Sequence, residues 1–206
     1  MKLTLILLAF FMLGVIAPVS EAKSNAGADP AVAFVKQVTD KGLNFLSNPK
    51  VTETQKRAEF KTLLNKSFDL DTIGRFVLGR FWNSASASER AQYLGLFRTM
   101  IVDVYSNRFS EYKGQTLEIL SSRPVGSDAL VASIMKHPKG SGASDVKIDW
   151  RVRKSGTSYK IVDVIVEGVS MSVTQRSEFA SIIQTGGGNI AALIDSLKKN
   201  DLVVSQ

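Results

Sequence analysis

The sequence predicts an α+β fold, a twisted antiparallel sheet of about four strands covered by helices. Three observations carry that expectation. Residues 145–171 read as a hairpin, with one arm VKIDWRV, turn chemistry at Lys154-Ser155-Gly156-Thr157, and a second arm YKIVDVIVEGVSM. Two further strand-like runs precede it, and turn-rich links join them. Four helix-period segments come first and two come last.

Residues 1–22 have the composition of a secretory leader: Lys2, an apolar run from Leu3 to Ile16 broken only by Thr4 and Gly14, Pro18, and small residues at Ser20 and Ala22. The run is short for a bilayer span, which takes about 20 apolar residues. Cleavage after Ala22 is therefore expected, leaving a single domain over 23–206. A Lys at the new first position argues against a lipoprotein. Loss of Lys2 and Glu21 leaves the net charge at +7. Later apolar runs are too short to cross a bilayer, so the mature chain is expected to be soluble.

Residues 23–30 (KSNAGADP) are small and polar, leading to Asp29-Pro30, an N-cap with proline in the first turn. A helix follows with Phe34, Val35, Val38, Phe45 and Leu46 on one stripe, ending at Asn48-Pro49. Thr52 and Gln55 form a capping box for a second helix bearing Phe60, Leu63 and Leu64. A third helix, capped by Asp69 or Asp71, is expected to run through Ile73, Phe76, Val77 and Phe81 to Trp82. Ser86 and Glu89 open a fourth, expected to continue to about Tyr112 with a wide stripe that includes Phe97, Met100, Ile101 and Tyr105.

Leu117 to Ser122 and Ala129 to Lys136 read as the first two strands. In the third, Val146, Ile148, Trp150 and Val152 alternate with charged residues. In the fourth, strict alternation would send Ile161 and Ile165 to one face and Val162, Val164 and Val166 to the other. A strand apolar on both faces belongs inside a covered sheet. Thr174 is the expected cap of a helix through Phe179, Ile182 and Ile183 that stops at Gly186-Gly187-Gly188. Asn189 caps the last helix, which closes in Lys198 and Lys199. The triple glycine follows a helix and lacks a succeeding Lys-Ser/Thr, so it reads as a C-cap and hinge, not a phosphate loop.

Composition narrows the chemistry. There is no cysteine and one histidine, His137, which disfavours disulfides, thiol catalysis and histidine-based metal or triad sites. Ser170 has no base nearby in sequence, and Gly168-Val169-Ser170-Met171-Ser172 lacks the pattern of a nucleophile elbow. Asp69 with Asp71 and Asp163 with Glu167 are candidate carboxylate pairs, but capping and solvation account for them equally well. The basic balance admits nucleic acid, an anionic membrane or an acidic protein. The chain has no dense basic cluster interleaved with aromatics of the kind nucleic acid requires.

Two stretches are more specific. FDLDTIGRFVLGRFW (68–82), followed by the aromatic helix to Tyr105, and YKIVDVIVEGVSM (159–171), followed by Arg176 and Phe179-Ala180-Ser181-Ile182-Ile183, resemble the MlaC family. These are periplasmic phospholipid-binding proteins of the toluene-tolerance (Ttg2) type, and a hopanoid-associated branch looks similar. The resemblance spans Pro30 to Lys199. It implies a cystatin-like or nuclear-transport-factor-like architecture with an apolar lipid pocket between sheet and helices. It also implies a non-enzymatic, monomeric carrier without cofactor, its cargo a phospholipid. The partners implied are an outer-membrane lipoprotein–porin complex and an inner-membrane ABC transporter with an MCE-domain subunit. The role implied is outer-membrane lipid asymmetry.

On that reading the pocket walls are Ile73, Phe76, Val77, Phe97, Met100, Ile101 and Tyr105 from helices. From the sheet they are Ile148, Trp150, Val152, Val164, Val166, Val169 and Met171. Arg75, Arg80 and Arg176 are candidates for contact with a head group or an acidic partner. The alternatives are a hopanoid or other polycyclic cargo, an enzyme on a hydrophobic substrate, marked by a buried acid/base pair, and a solid-cored adaptor, marked by the lack of a cavity.

Overall fold

The computed structural model describes residues 29–199. The leader, its cleavage site, residues 23–28 and the chain end after Lys199 lie outside them. The helices are α1 (Pro30–Ser47), α2 (Glu53–Ser67), α3 (Leu70–Leu78), α4 (Phe81–Ser84) and α5 (Ala87–Ser106), with a 3-10 turn at Phe109–Glu111. The strands β1 (Thr116–Val125), β2 (Asp128–Lys136), β3 (Val146–Ser155), β4 (Ser158–Val166) and β5 (Val169–Ser170) precede α6 (Met171–Thr185) and α7 (Ile190–Lys199). The strands form one antiparallel sheet in the order β1-β2-β3-β4-β5. β5 adds a short fifth strand to the four expected.

Local signals in the sequence account for most helix starts. The Asp29 carboxylate accepts from the Ala31 N–H at 2.8 Å. Both capping boxes are closed reciprocally, Thr52 with Gln55 and Ser86 with Glu89. Asp69, not Asp71, caps α3, accepting from the Thr72 N–H and hydroxyl. Asp71 instead pairs with Arg98. Asn189 accepts from the Ala191 N–H at the start of α7.

Several boundaries differ from expectation, and the first strand runs on through Arg123, Pro124 and Val125, which read as a link. The third helix breaks at Gly79, whose φ of 58° lies in the left-handed region, and Phe81 and Trp82 fall in the separate short α4. The long helix ends at Ser106 and gives way to the 3-10 turn. Met171 is the first residue of α6, not a sheet residue, because Ser170 is the cap that accepts from the Val173 N–H. Thr174 lies inside that helix, where its hydroxyl donates to the Ser170 carbonyl.

The sheet also departs from strict alternation. Arg151 lies opposite Asp163 but Val152 lies opposite Ile161, so Val162 is an extra residue in β4. Such a bulge advances the strand by one side chain. Ile161 therefore shares a face with Val164 and Val166, alongside Ile148, Trp150 and Val152 of β3. This face is the one the helices cover.

Three separate groups of buried side chains result. One joins α3, α5, α6 and α7 around Val77, Phe97, Phe179 and Leu193. The second packs α1 and Phe109 on Val131, Val152 and Ile161 of the sheet. Leu64, Leu70 and Val102 form a small third group between α2, α3 and α5. In a chain of this length one continuous core is the usual outcome. Here a void lies where the groups would merge.

Candidate functional site: an apolar cavity between sheet and helices

Residues four apart on a helix stack on one face, and three such series converge on the void. α3 contributes Ile73 and Val77, α5 contributes Phe97, Ile101 and Tyr105, and α2 contributes Phe60 and Leu64. Trp150, Val164 and Val166 form the sheet floor, and Met171, Ser172 and Gln175 of α6 close one end. Phe68 and Leu70, flanking the α2–α3 link, complete a cavity of about 280 Å3. A second apolar hollow of about 470 Å3 lies toward α1, bounded by Val38, Leu46, Leu63, Leu117, Met135 and Ile148. Phe60, Phe68, Tyr105 and Trp150 line both, so the two hollows share an aromatic partition.

Hydrogen bonds and ring contacts hold the partition in place. Trp150 donates its indole N–H to the Ser133 hydroxyl at 3.0 Å, and that hydroxyl donates to the Ile148 carbonyl at 2.7 Å. The ring is thereby pinned to the sheet. Phe60 packs edge-on to Phe109 with centroids 5.3 Å apart. Behind the α5 wall, Tyr93, Phe97 and Phe179 form an aromatic triad with centroids 5.8–6.3 Å apart. Tyr93 donates to the Gly74 carbonyl at 2.9 Å, and burial pushes its pKa up. Tyr105 differs in being 42% exposed, which marks the way in from solvent. Partial desolvation raises its pKa, opposed by Arg108 and reinforced by Glu178.

The one carboxylate on the cavity wall is already committed. Asp163 accepts from the N–H groups of Val164 and Ser172 and from the Ser170 hydroxyl at 2.6 Å. It thus caps the positive N-terminal end of α6. Among the described residues no group of three or more His, Cys, Asp or Glu side chains could hold a metal ion. The arrangement withdraws apolar matter from water, at about 0.8 kcal/mol per methylene.

Of the side chains expected on the wall, Ile73, Val77, Phe97, Ile101, Tyr105, Trp150, Val164, Val166 and Met171 line the first hollow, and Ile148 lines the second. Four do not reach either. Met100 points into the α5–α7 core, and Val152 is sealed with Val131 and Ile161 beneath α1. Phe76 and Val169 are 43% and 54% exposed. Phe76 sits one position round the helix from Val77. Val169 follows the Glu167-Gly168 turn, where both residues have positive φ, and pairs with Val166 on the short edge strand β5, beyond the hollow. Phe60, Leu64, Phe68, Leu70 and Gln175 were not anticipated. Arg75, Arg80 and Arg176 lie outside both hollows, stacked on Trp82, Phe81 and Phe76.

Residues 36–199 match the family model described as MlaC protein. The chain belongs to the MlaC family. A relative from Haemophilus influenzae, "Intermembrane phospholipid transport system binding protein MlaC", is 24% identical over 134 residues, covering 64% of this chain and 62% of that protein. The "Toluene tolerance protein ttg2D" of Pseudomonas putida is 21% identical over 134 residues, 65% of this chain and 61% of its own length. The matched region thus spans about three-fifths of each of these two relatives. Among solved structures, a phospholipid-binding protein from Ralstonia solanacearum, in complex with a phospholipid, superposes with a TM-score of 0.70 at 22% identity. The superposition covers 84% of this chain and 98% of that one. The MlaC-family fold is therefore an α+β arrangement in which helices enclose the covered face of an open antiparallel sheet.

Proposed function

We propose that this MlaC-family chain is a periplasmic lipid carrier whose cargo is a phospholipid held by its acyl chains. The observation that carries the reading is the apolar void between three cores, walled by α2, α3, α5, α6 and the sheet, with its one carboxylate engaged by α6. Wall area is what acyl chains need, and a packed adaptor would have filled the void. The names of the relatives support phospholipid as the cargo and lipid transfer between membranes as the setting. On this reading the protein exchanges lipid with an outer-membrane lipoprotein–porin complex and an inner-membrane ABC transporter carrying an MCE-domain subunit. The export leader and outer-membrane lipid asymmetry belong to the same proposal. Binding and release, not catalysis, are its work, and phospholipid is cargo, not cofactor.

Mass spectrometry of an organic extract of the purified mature protein tests this directly. Stoichiometric phospholipid is the expected result. A polycyclic lipid would replace the cargo. A protein that stays empty after incubation with phospholipid vesicles would overturn the carrier reading.

A further inference from the structure

Beyond the cargo site, the surface around the α3–α4 break has a composition found nowhere else among the described residues. Arg75 stacks over Trp82 with its guanidinium carbon 5.6 Å from the ring centre, Arg80 over Phe81 at 4.9 Å, and Arg176 over Phe76 at 5.1 Å. Arg57, Arg98, Arg151 and Arg153 each pair with an aspartate. Among the described residues no carboxylate forms an ion pair with Arg75, Arg80 or Arg176. Arg90, also over Trp82, donates to the Trp82 carbonyl at 2.8 Å, which explains its place as the support of α4. Arg176 packs against Gly79, where a Cβ would come within 2.8 Å of its Nε. Arg75 and Arg80 are exposed and have no such structural duty.

Apolar exposure gathers in the same place. Phe76 is 43% exposed, and Val173, one helical turn before Arg176, is 52% exposed. Val169, 54% exposed, lies in β5 two residues before α6 begins. We propose that this arginine–aromatic ledge of α3, α4 and α6 docks the protein on an anionic lipid surface. Guanidinium groups beside aromatic and aliphatic side chains match the membrane interface, where rings and stems enter the head-group layer and charges meet phosphate. Each cation near an anionic leaflet contributes measurably, and the +7 net charge adds long-range attraction. An acidic protein surface would satisfy the charges but not the exposed phenylalanine and valines, so the lipid surface is the better fit. Two of these helices, α3 and α6, carry Ile73, Val77, Met171 and Gln175 on the cavity wall, so docking would set the cavity directly behind the contact.

The test is co-sedimentation of the mature protein with vesicles of phosphatidylcholine, alone or mixed with phosphatidylglycerol. Binding is expected to the mixed vesicles only and to weaken as salt rises. Arg75→Glu with Arg80→Glu should reduce the partition coefficient roughly tenfold or more. Lys139→Glu with Lys154→Glu, the same charge change at an exposed loop and at the exposed end of β3, should change it about twofold at most. Because the chain has no cysteine, an environment-sensitive dye on Val173→Cys reports contact directly. Its emission should shift to the blue on mixed vesicles, while the same dye on Lys139→Cys should not shift.

Unaltered binding by the arginine variant, an equal loss in the lysine variant, equal binding to phosphatidylcholine alone, or no binding to either vesicle would each overturn the proposal. The cargo reading fails separately. Phospholipid in the extract without vesicle adsorption would remove the ledge and leave the carrier. Adsorption by a chain that stays empty would do the reverse.

Discussion

Ile101 and Val164 both line the cavity, and neither is sealed in a core, so this is where side-chain volume should trade against cargo. Ile101→Trp combined with Val164→Phe fills a void instead of crowding a packed site, so it should cost less than about 1.5 kcal/mol of stability. Lipid recovered in the extract should fall severalfold in the same variant, and retention of full lipid content would rule this wall out. Asp128 is a contrasting residue. Its side chain is 1% exposed and held by Arg151 and Arg153, with N–H···O distances of 2.7–3.0 Å. The Arg153 hydrogen bond, ahead of that from Arg151 and against desolvation, holds its carboxyl below the usual range. A depressed folded pKa means stability that is present above the unfolded value of about 3.9 and lost as pH falls through the folded one. Asp128→Asn should therefore cost about 2 kcal/mol at neutral pH and flatten the acid limb of a melting-temperature profile. Ile73, Val77, Phe97, Ile101 and Tyr105 were legible in the sequence because helical spacing alone puts them on one face. Phe68 was not, since it lies in a link with no period, and Met100 was misplaced because a wide apolar stripe does not say which of its edges meets a void.

At the level of elements, the α3–α4 break is the most consequential departure from a sequence reading. Apolar spacing continues smoothly from Ile73 to Phe81, and nothing in that period marks Gly79 as a stop. The structure turns there because a left-handed residue without a side chain leaves space for the Arg176 guanidinium over the C-terminal end of α3. Gly79→Ala meets both a strained φ and an occupied volume, so it should destabilise by about 1–3 kcal/mol, read as a lower melting temperature. The bulge at Val162 was hidden for a similar reason. A period-2 pattern has no symbol for an inserted residue, so the face assignment of Ile161 had to come from register. Caps fared better because their chemistry is local: Thr52 with Gln55, Ser86 with Glu89 and Asn189 each need partners only two or three residues away.

At the level of the whole molecule, the α+β class and the antiparallel meander were legible, since each depends on the order of periods along the chain. The separation into three buried groups was not, because periodicity identifies which side chains leave water but not whether they meet one another. That separation has an energetic consequence. A ligand that binds only the folded state stabilises it in proportion to the logarithm of its concentration over its dissociation constant, about 2.7 kcal/mol at a hundredfold excess. If lipid fills the void, delipidation should lower the melting temperature by several degrees, and adding phospholipid back should restore it. A melting temperature indifferent to lipid would place any bound lipid outside the cavity.

The α2–α3 link is fastened to the sheet by a parallel bridge between Phe68 and Ile161, in which the Asp69 N–H donates to the Ile161 carbonyl at 2.9 Å. Asp29, at the start of the first helix, likewise accepts from the Ser122 hydroxyl of β1. These ties join residues some ninety positions apart, and pairing over such separations slows folding. The helical first half of the domain therefore has no sheet to close against until β4 has emerged and paired. Its apolar faces remain uncovered until then, which makes late sheet formation the step at which misassembly would begin.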